Sequence, residues 1–327
     1  MIQPHKRSDG VGFEDMMDPE LRAYFAAAQP LAALSLAEQR AAFDVFAASW
    51  RAAAPRRPGV VVEDRRVPGP TDAPDLLVRL YRPRQAAAEP LPALLWIHGG
   101  GFCIGSYDMD DAQCERIAEE LQCLVASVEY RLAPEHPFPA GPEDAYAALV
   151  WLAGQAGALG VDPGRIAVGG VSAGGGLAAG VVLMARDRGG PALKYQLLIY
   201  PCVDDAHTSV SSLAITDPRV WSREASLIAW RNYLGGKADG PVSPYAAPAR
   251  AEDLGGLPPA FVLAADRDLL CDENIAYAQR LSQAGVAVEL HVYPATFHGF
   301  YSLAPDAAVS RRAVADLIAA LGRGLSA

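Results

Sequence analysis

The chain has 327 residues, 51% of them hydrophobic and 20% charged, so it can bury a large core and is neither a disordered tail nor a fibrous repeat. Its formal net charge is -10, with acidic and basic residues interspersed. That balance lacks the basic stripe a phosphate backbone demands, and no nucleic-acid partner is expected.

The first stretch, MIQPHKRSDGVGFEDMMD, has no unbroken apolar segment of the kind a secretory leader needs, and no later run is long enough to span a bilayer. The expectation is a cytoplasmic protein without a membrane anchor. Two amphipathic helices follow, one with Asp18 as N-cap and Pro19 in its first turn, the other opened by a capping box from Ser35 to Glu38. They are expected to end near Arg51. The segment AAAPRRPG then breaks the pattern, and from Val60 onward β-rich runs alternate with helical periodicity.

The strands predicted are LLVRLYRP (76–83), PALLWIHG (92–99), CLVASVEYR (123–131), RIAVGGV (165–171), YQLLIYP (195–201), AFVLAAD (260–266) and VAVELHVYP (286–294). Several are nearly all apolar, as strands buried on both faces are. Helical patterns lie between them at about 110–122, 142–157, 173–187, 272–284 and 306–323, which predicts a largely parallel sheet with helices on both faces. The stretch 203–257 breaks the alternation. It holds a helix-like piece from Ser222 to Leu234, stopped by Gly235 and Gly236, and follows a strand's C-terminal end, where open α/β sheets bind ligands. Together with the N-terminal helices it reads as a lid. Cys103, Cys114, Cys123, Cys202 and Cys271 are odd in number and lack metal spacing, so they read as buried free thiols and no metal site is expected.

Two glycine-rich motifs carry chemistry. In RIAVGGVSAGGG, Gly170, Ser172 and Gly174 form G-x-S-x-G between a strand and a helix, a turn that presents a strained, exposed serine as a nucleophile. The helix beginning at Ala173 aims free N–H groups at the same spot. A glycine-rich phosphate loop is the rival reading, but the segment lacks both the GK[ST] ending and the dinucleotide spacing. Upstream, His98-Gly99-Gly100-Gly101-Phe102 directly follows a strand, and glycines there let backbone amides converge without Cβ obstruction. The amides of Gly100, Gly101 and Ala173 are the expected oxyanion donors, with His98 orienting the loop.

A nucleophilic serine needs a base, and the base an orienting acid. Of the histidines after Ser172, His207 lies in the presumed lid and His291 within a strand, whereas His298 sits just past the last strand and is the expected base. For the acid, Asp272 and Glu273 read as the N-cap and first turn of the next helix, which leaves Asp266 and Asp268. Local pattern does not separate those two.

HGGGF, YRLAPEHPFPA (130–140), GGVSAGG, DLLCDEN and HGF, in this order, resemble the hormone-sensitive-lipase-like family of α/β-hydrolase esterases, over about residues 76–300. The family's Asp-Pro-Leu-x-Asp-Glu motif maps its acid onto Asp268. The resemblance implies an α/β-hydrolase fold with a mostly parallel central sheet, helices on both faces and a helical cap. It also implies hydrolysis of short- to medium-chain acyl esters through Ser172, His298 and Asp268, with no cofactor. The chain then divides into cap helices (1–55), a first part of the core (56–202), a cap insertion (203–257) and a second part of the core (258–327). Val171 stands where the family most often has Asp or Thr, and Leu269 where it has proline.

Amidase, thioesterase or deacetylase chemistry would use the same triad. A non-catalytic ligand-binding protein on this scaffold would typically lack a triad member, and none is missing. The expected partner is a small-molecule ester. A second copy of the chain, paired along the last strand as an exposed edge, would make a homodimer.

Overall fold

A computed structural model describes residues 13–28, 30, 34–53, 56–86, 90–236 and 240–326. The leaderless reading of residues 1–12 and part of the AAAPRRPG break therefore lie outside the described residues. Both N-terminal helices form where their caps predict. In α1 (Pro19–Ala27) the Asp18 carboxylate accepts from the Glu20 amide at 2.9 Å. Before α2 (Leu36–Ala53) the Glu38 carboxylate accepts from the Ser35 amide at 2.8 Å, completing the capping box.

The sheet has eight strands: β1 (Val60–Val67), β2 (Leu76–Pro83), β3 (Leu91–Ile97), β4 (Leu124–Val128), β5 (Val161–Val171), β6 (Tyr195–Ile199), β7 (Ala260–Ala265) and β8 (Val288–Tyr293). Their order is β1-β2-β4-β3-β5-β6-β7-β8. The β1/β2 and β2/β4 pairs are antiparallel and all the others parallel. Seven strands match the expected runs. β1 is additional: VVVEDRRV is charged through its middle and largely exposed, as suits an edge strand, so it shows no apolar period.

Alternation along β3 assigns the two layers. Ala93, Leu95 and Ile97 face a core shared with α4 (Ala140–Gly154), α5 (Ala173–Asp187) and α8 (Cys271–Gln283). Leu94 and Trp96 face the opposite core, built with α3 (Asp111–Leu121) and α10 (Ala308–Leu325), where Leu21 and Phe25 of α1 are also buried. Burying apolar area at about 25 cal/mol per Å² on both faces is what makes such near-continuous apolar strands stable only at the centre of a sheet.

From β3 the chain crosses through α3 to β4 on one side, then returns through α4 to β5 on the other. The strand order thus reverses at β3, and the carboxyl ends of β3 and β5 lie side by side at a topological switch point. Residues 203–257 hold no strand among the described residues, but do hold α6 (Val210–Ala214) and α7 (Arg223–Tyr233). Ser222 caps α7, and Gly235 and Gly236 leave it at positive φ, as predicted. A one-turn helix, α9 (Phe300–Leu303), follows the expected base. No helix among the described residues is long and apolar enough to cross a membrane.

Candidate active site

Ser172 sits between β5 and α5 with φ 59° and ψ -120°, a backbone conformation that costs on the order of 1–3 kcal/mol for a residue with a side chain. Its surroundings fix that conformation. The Ser172 amide donates to the Ile199 carbonyl at 2.9 Å, and its carbonyl accepts from Gly176 and Cys202, each at 3.0 Å. The turn also needs α5 close to β3: a Cβ on Gly174 would come within 2.1 Å of the Ile97 carbonyl oxygen. The side chain that emerges is 7% exposed.

Three side chains from distant loops form one hydrogen-bonded chain. The Ser172 hydroxyl donates to His298 Nε2 at 2.8 Å, and His298 Nδ1 donates to Asp268 Oδ2 at 2.6 Å. Asp268 is 1% exposed, and its other oxygen accepts from the Leu270 amide at 3.1 Å. Asp266 takes a different place. Its Oδ1 accepts from the Thr296 amide at 3.2 Å, and its own amide donates to the Tyr293 carbonyl, so it ties the end of β7 to the loop that carries His298. Burial raises the Asp266 carboxyl above its ordinary value.

Glycine geometry shapes the opposite wall. Gly100 and Gly101 have φ of 113° and 58°, and the Gly100 carbonyl accepts from the amides of Cys103 (3.1 Å) and Ile104 (2.9 Å). Because the peptide is planar, this turns the Gly101 N–H the other way. The amides of Gly100, Gly101 and Ala173 donate to no protein acceptor among the described residues. His98 is fully buried and stacks on Tyr130 with ring centroids 4.3 Å apart, while its Nδ1 donates to the Gly99 carbonyl. Burial pushes its pKa down to about 4, so it stays neutral.

The other two histidines that follow Ser172 in the chain have partners of their own. His207 is held by the Ser226 hydroxyl and the Asp205 carbonyl, and His291 pairs with Glu289 at 3.0 Å on β8. The expected N-cap of α8, Asp272, is not the cap; Leu270 is, because the helix begins at Cys271, two residues before an Asp272 cap would start it, and the Asp272 carboxylate instead accepts from the Ser211 amide. All five cysteines are free and buried.

Three neighbours escape a reading of the sequence. Cys202 Sγ lies 3.8 Å from the Ser172 hydroxyl, and burial raises its thiol well above the ordinary value, so it is protonated. Its position just after β6 is the one signal that could have found it. Tyr200 packs its ring 4.6 Å from that of His298, and Trp221, from the loop before α7, crosses from Gly101 toward His298 at 6.2 Å. Phe102 is 2% exposed and stacks on Tyr233 at 4.0 Å, so it anchors α7 rather than facing an open pocket. Among the described residues, no cluster of three or more His, Cys, Asp or Glu side chains is arranged to hold a metal ion.

A hydroxyl aligned on an imidazole can attack a carbonyl carbon, and backbone amides left without an acceptor can hold the oxyanion that forms. Comparison with known proteins agrees with such chemistry. The family model described as alpha/beta hydrolase fold matches residues 94–302. Carboxylesterase NlhH of Mycobacterium tuberculosis is 40% identical over 83% of this chain and 85% of its own. A structure titled bacterial heroin esterase superposes with a TM-score of 0.92 at 44% identity, covering 97% of this chain and 100% of that one. Esterase LipW from Mycobacterium marinum superposes at 0.86 with 39% identity, covering 96% and 98% of the two chains.

Proposed function

Since the chain belongs to the hormone-sensitive-lipase-like branch of the α/β-hydrolase family and is a carboxylesterase, we propose that it hydrolyses short- to medium-chain acyl esters through an acyl-enzyme on Ser172. The observation that carries this reading is the continuous chain Asp268–His298–Ser172, with hydrogen bonds of 2.6 and 2.8 Å.

In the proposed sequence His298 Nε2 takes the Ser172 proton as Oγ attacks the ester carbonyl, and Asp268 holds the proton on Nδ1 and offsets the imidazolium charge. The amides of Gly100, Gly101 and Ala173 receive the oxyanion. The alcohol leaves with the proton from His298, and water repeats the steps to free the acid. The enclosed nucleophile, 7% exposed beside a loop that Trp221 packs against at Gly101, favours small acyl groups. We assign residues 1–55 and 203–257 to a cap, a division supported by the ion pair from Glu14 to Arg219 between them.

The small-molecule ester is the partner that this chemistry requires. Five free thiols suit a reducing cytoplasm, and the edge position of β8 suits a homodimer paired along that strand. The reading is tested with Ser172→Ala against p-nitrophenyl acetate and butyrate. Turnover is expected to vanish while the fold persists, and full retained activity would overturn it. A series of longer p-nitrophenyl esters, with matched thioesters and amides, tests the substrate range, with rates expected to fall as the acyl chain lengthens.

A further inference from the structure

The turn that follows Gly100 and Gly101 is held by a residue of the N-terminal helices. Arg40, on α2, donates from Nε to the Cys103 carbonyl at 2.8 Å and from one terminal nitrogen to the Ala133 carbonyl at 3.0 Å. Both terminal nitrogens also reach the Glu135 carboxylate, each at 2.7 Å. The Ala133 amide in turn donates to the Phe102 carbonyl at 3.0 Å, so Arg40 closes a ring through Cys103, Phe102 and Ala133. One planar fork thus satisfies two carbonyls and a carboxylate, a geometry no lysine can reproduce in full.

Cys103 belongs to the turn that aims the Gly101 N–H. Its amide donates to the Gly100 carbonyl, and its carbonyl is the group Arg40 grips. We propose that Arg40 is a positioning residue for the oxyanion hole, pinning the Cys103 and Ala133 carbonyls so that the Gly100 and Gly101 amides keep their aim. The docking of α2 is then a condition of full turnover. This rests on the assignment of those amides as the oxyanion donors.

Two features separate this role from simple support of the fold. The Arg40–Glu135 pair is open to solvent on its Glu135 side, with side chains 30% and 54% accessible, and such pairs add little to stability. Among the described side chains of α2 only Ala47 is buried, so a loosened α2 uncovers little of the core, and a loss of turnover in Arg40→Ala reports on the turn rather than on the fold.

The test compares Arg40→Ala, Arg40→Lys and Glu135→Gln with the wild type and Ser172→Ala, using p-nitrophenyl butyrate. It also measures affinity for an alkyl trifluoromethyl ketone, whose hemiketal oxyanion would occupy the hole, and for the matching methyl ketone, which mimics only the ground state. Arg40→Ala is expected to lose about ten-fold in kcat, a fraction of the cost of deleting a donor outright, with KM nearly constant. Trifluoromethyl ketone affinity should fall by the same factor and methyl ketone affinity should not. Ethylguanidinium added to Arg40→Ala should restore part of the rate, Arg40→Lys should lie between, and Glu135→Gln should stay near wild type.

Unchanged kcat in Arg40→Ala beside an inactive Ser172→Ala overturns the proposal while sparing the assignment of the nucleophile. Equal losses for both ketones, or a Glu135→Gln loss as large as that of Arg40→Ala, overturns it as well. If Arg40→Ala does not fold, Arg40→Lys carries the same comparison: a matched fall in kcat and trifluoromethyl ketone affinity supports the proposal, and no change in either overturns it.

Discussion

Replacing Asp268 by Asn separates the two aspartates that local pattern left equivalent. In the wild type Asp268 Oδ2 accepts the His298 Nδ1 proton at 2.6 Å, and Oδ1 accepts from the Leu270 amide at 3.1 Å. In Asp268→Asn the one remaining side-chain oxygen would keep the Leu270 bond, which leaves the new amide nitrogen, a donor, facing Nδ1. His298 must then carry its proton on Nε2, where it can no longer accept from Ser172. In hydrolases with this triad the wrong tautomer costs about 10⁴ in kcat, or about 5 kcal/mol of transition-state stabilisation. Asp266→Asn has no such consequence. Its oxygen can still accept from the Thr296 amide, and the losses fall on the 3.5 Å contact with the Arg267 guanidinium and on the backbone contact at Ala295, none of which touches His298, so activity should stay within about three-fold. The assay is kcat for p-nitrophenyl butyrate on both variants, with circular dichroism as the check on folding. Equal losses, or a larger loss for Asp266→Asn, would refute the reasoning.

A Cβ on Gly101 would lie 2.6 Å from the Trp221 ring, and φ is +58° there, so Gly101→Ala should lower kcat/KM by about ten-fold or more. Adding Trp221→Ala should recover part of that loss, and a double-mutant cycle showing strict additivity would contradict the contact. Asp110, partly buried, has its carboxyl pushed up to about 6 by burial, with the Trp96 N–H bond at 2.8 Å acting the other way. The folded protein therefore binds this proton more tightly than the unfolded chain, so the stability linked to it is present at low pH and is lost as pH rises through about 6. Asp110→Asn keeps an acceptor for Trp96 and should be more stable than wild type at pH 8, by about 3 kcal/mol at most, with the gain vanishing near pH 4. Calorimetry showing no difference at pH 8 would exclude it.

Much of the framework could be read along the chain because it depends on local pattern. Strands such as PALLWIHG are buried on both faces and therefore apolar throughout, and the turn at Ser172 needs glycines that stand out in any sequence. β1 escaped because Glu63, Asp64, Arg65 and Arg66 lie on an exposed edge strand, where no apolar period is required. The choice between Asp266 and Asp268 was not local either, since β7 ends at Ala265 and both follow in one turn; what separates them is which oxygen reaches His298. Arg40 meets Cys103 across 63 residues, and Trp221 meets Gly101 from a segment without periodicity. Contacts of that kind arise only when loops converge, and nothing in local composition marks them.

The central claim is that catalysis passes through a covalent bond to Ser172. Rapid acid quench of the enzyme with p-nitrophenyl acetate in the pre-steady state, followed by peptide mass spectrometry, tests it most directly. The prediction is one acetyl group on the peptide carrying Ser172, formed as fast as the nitrophenol burst and absent from Ser172→Ala. An acetyl group on another residue that forms at the burst rate, or steady turnover without any adduct in an enzyme that shows a burst, would contradict it.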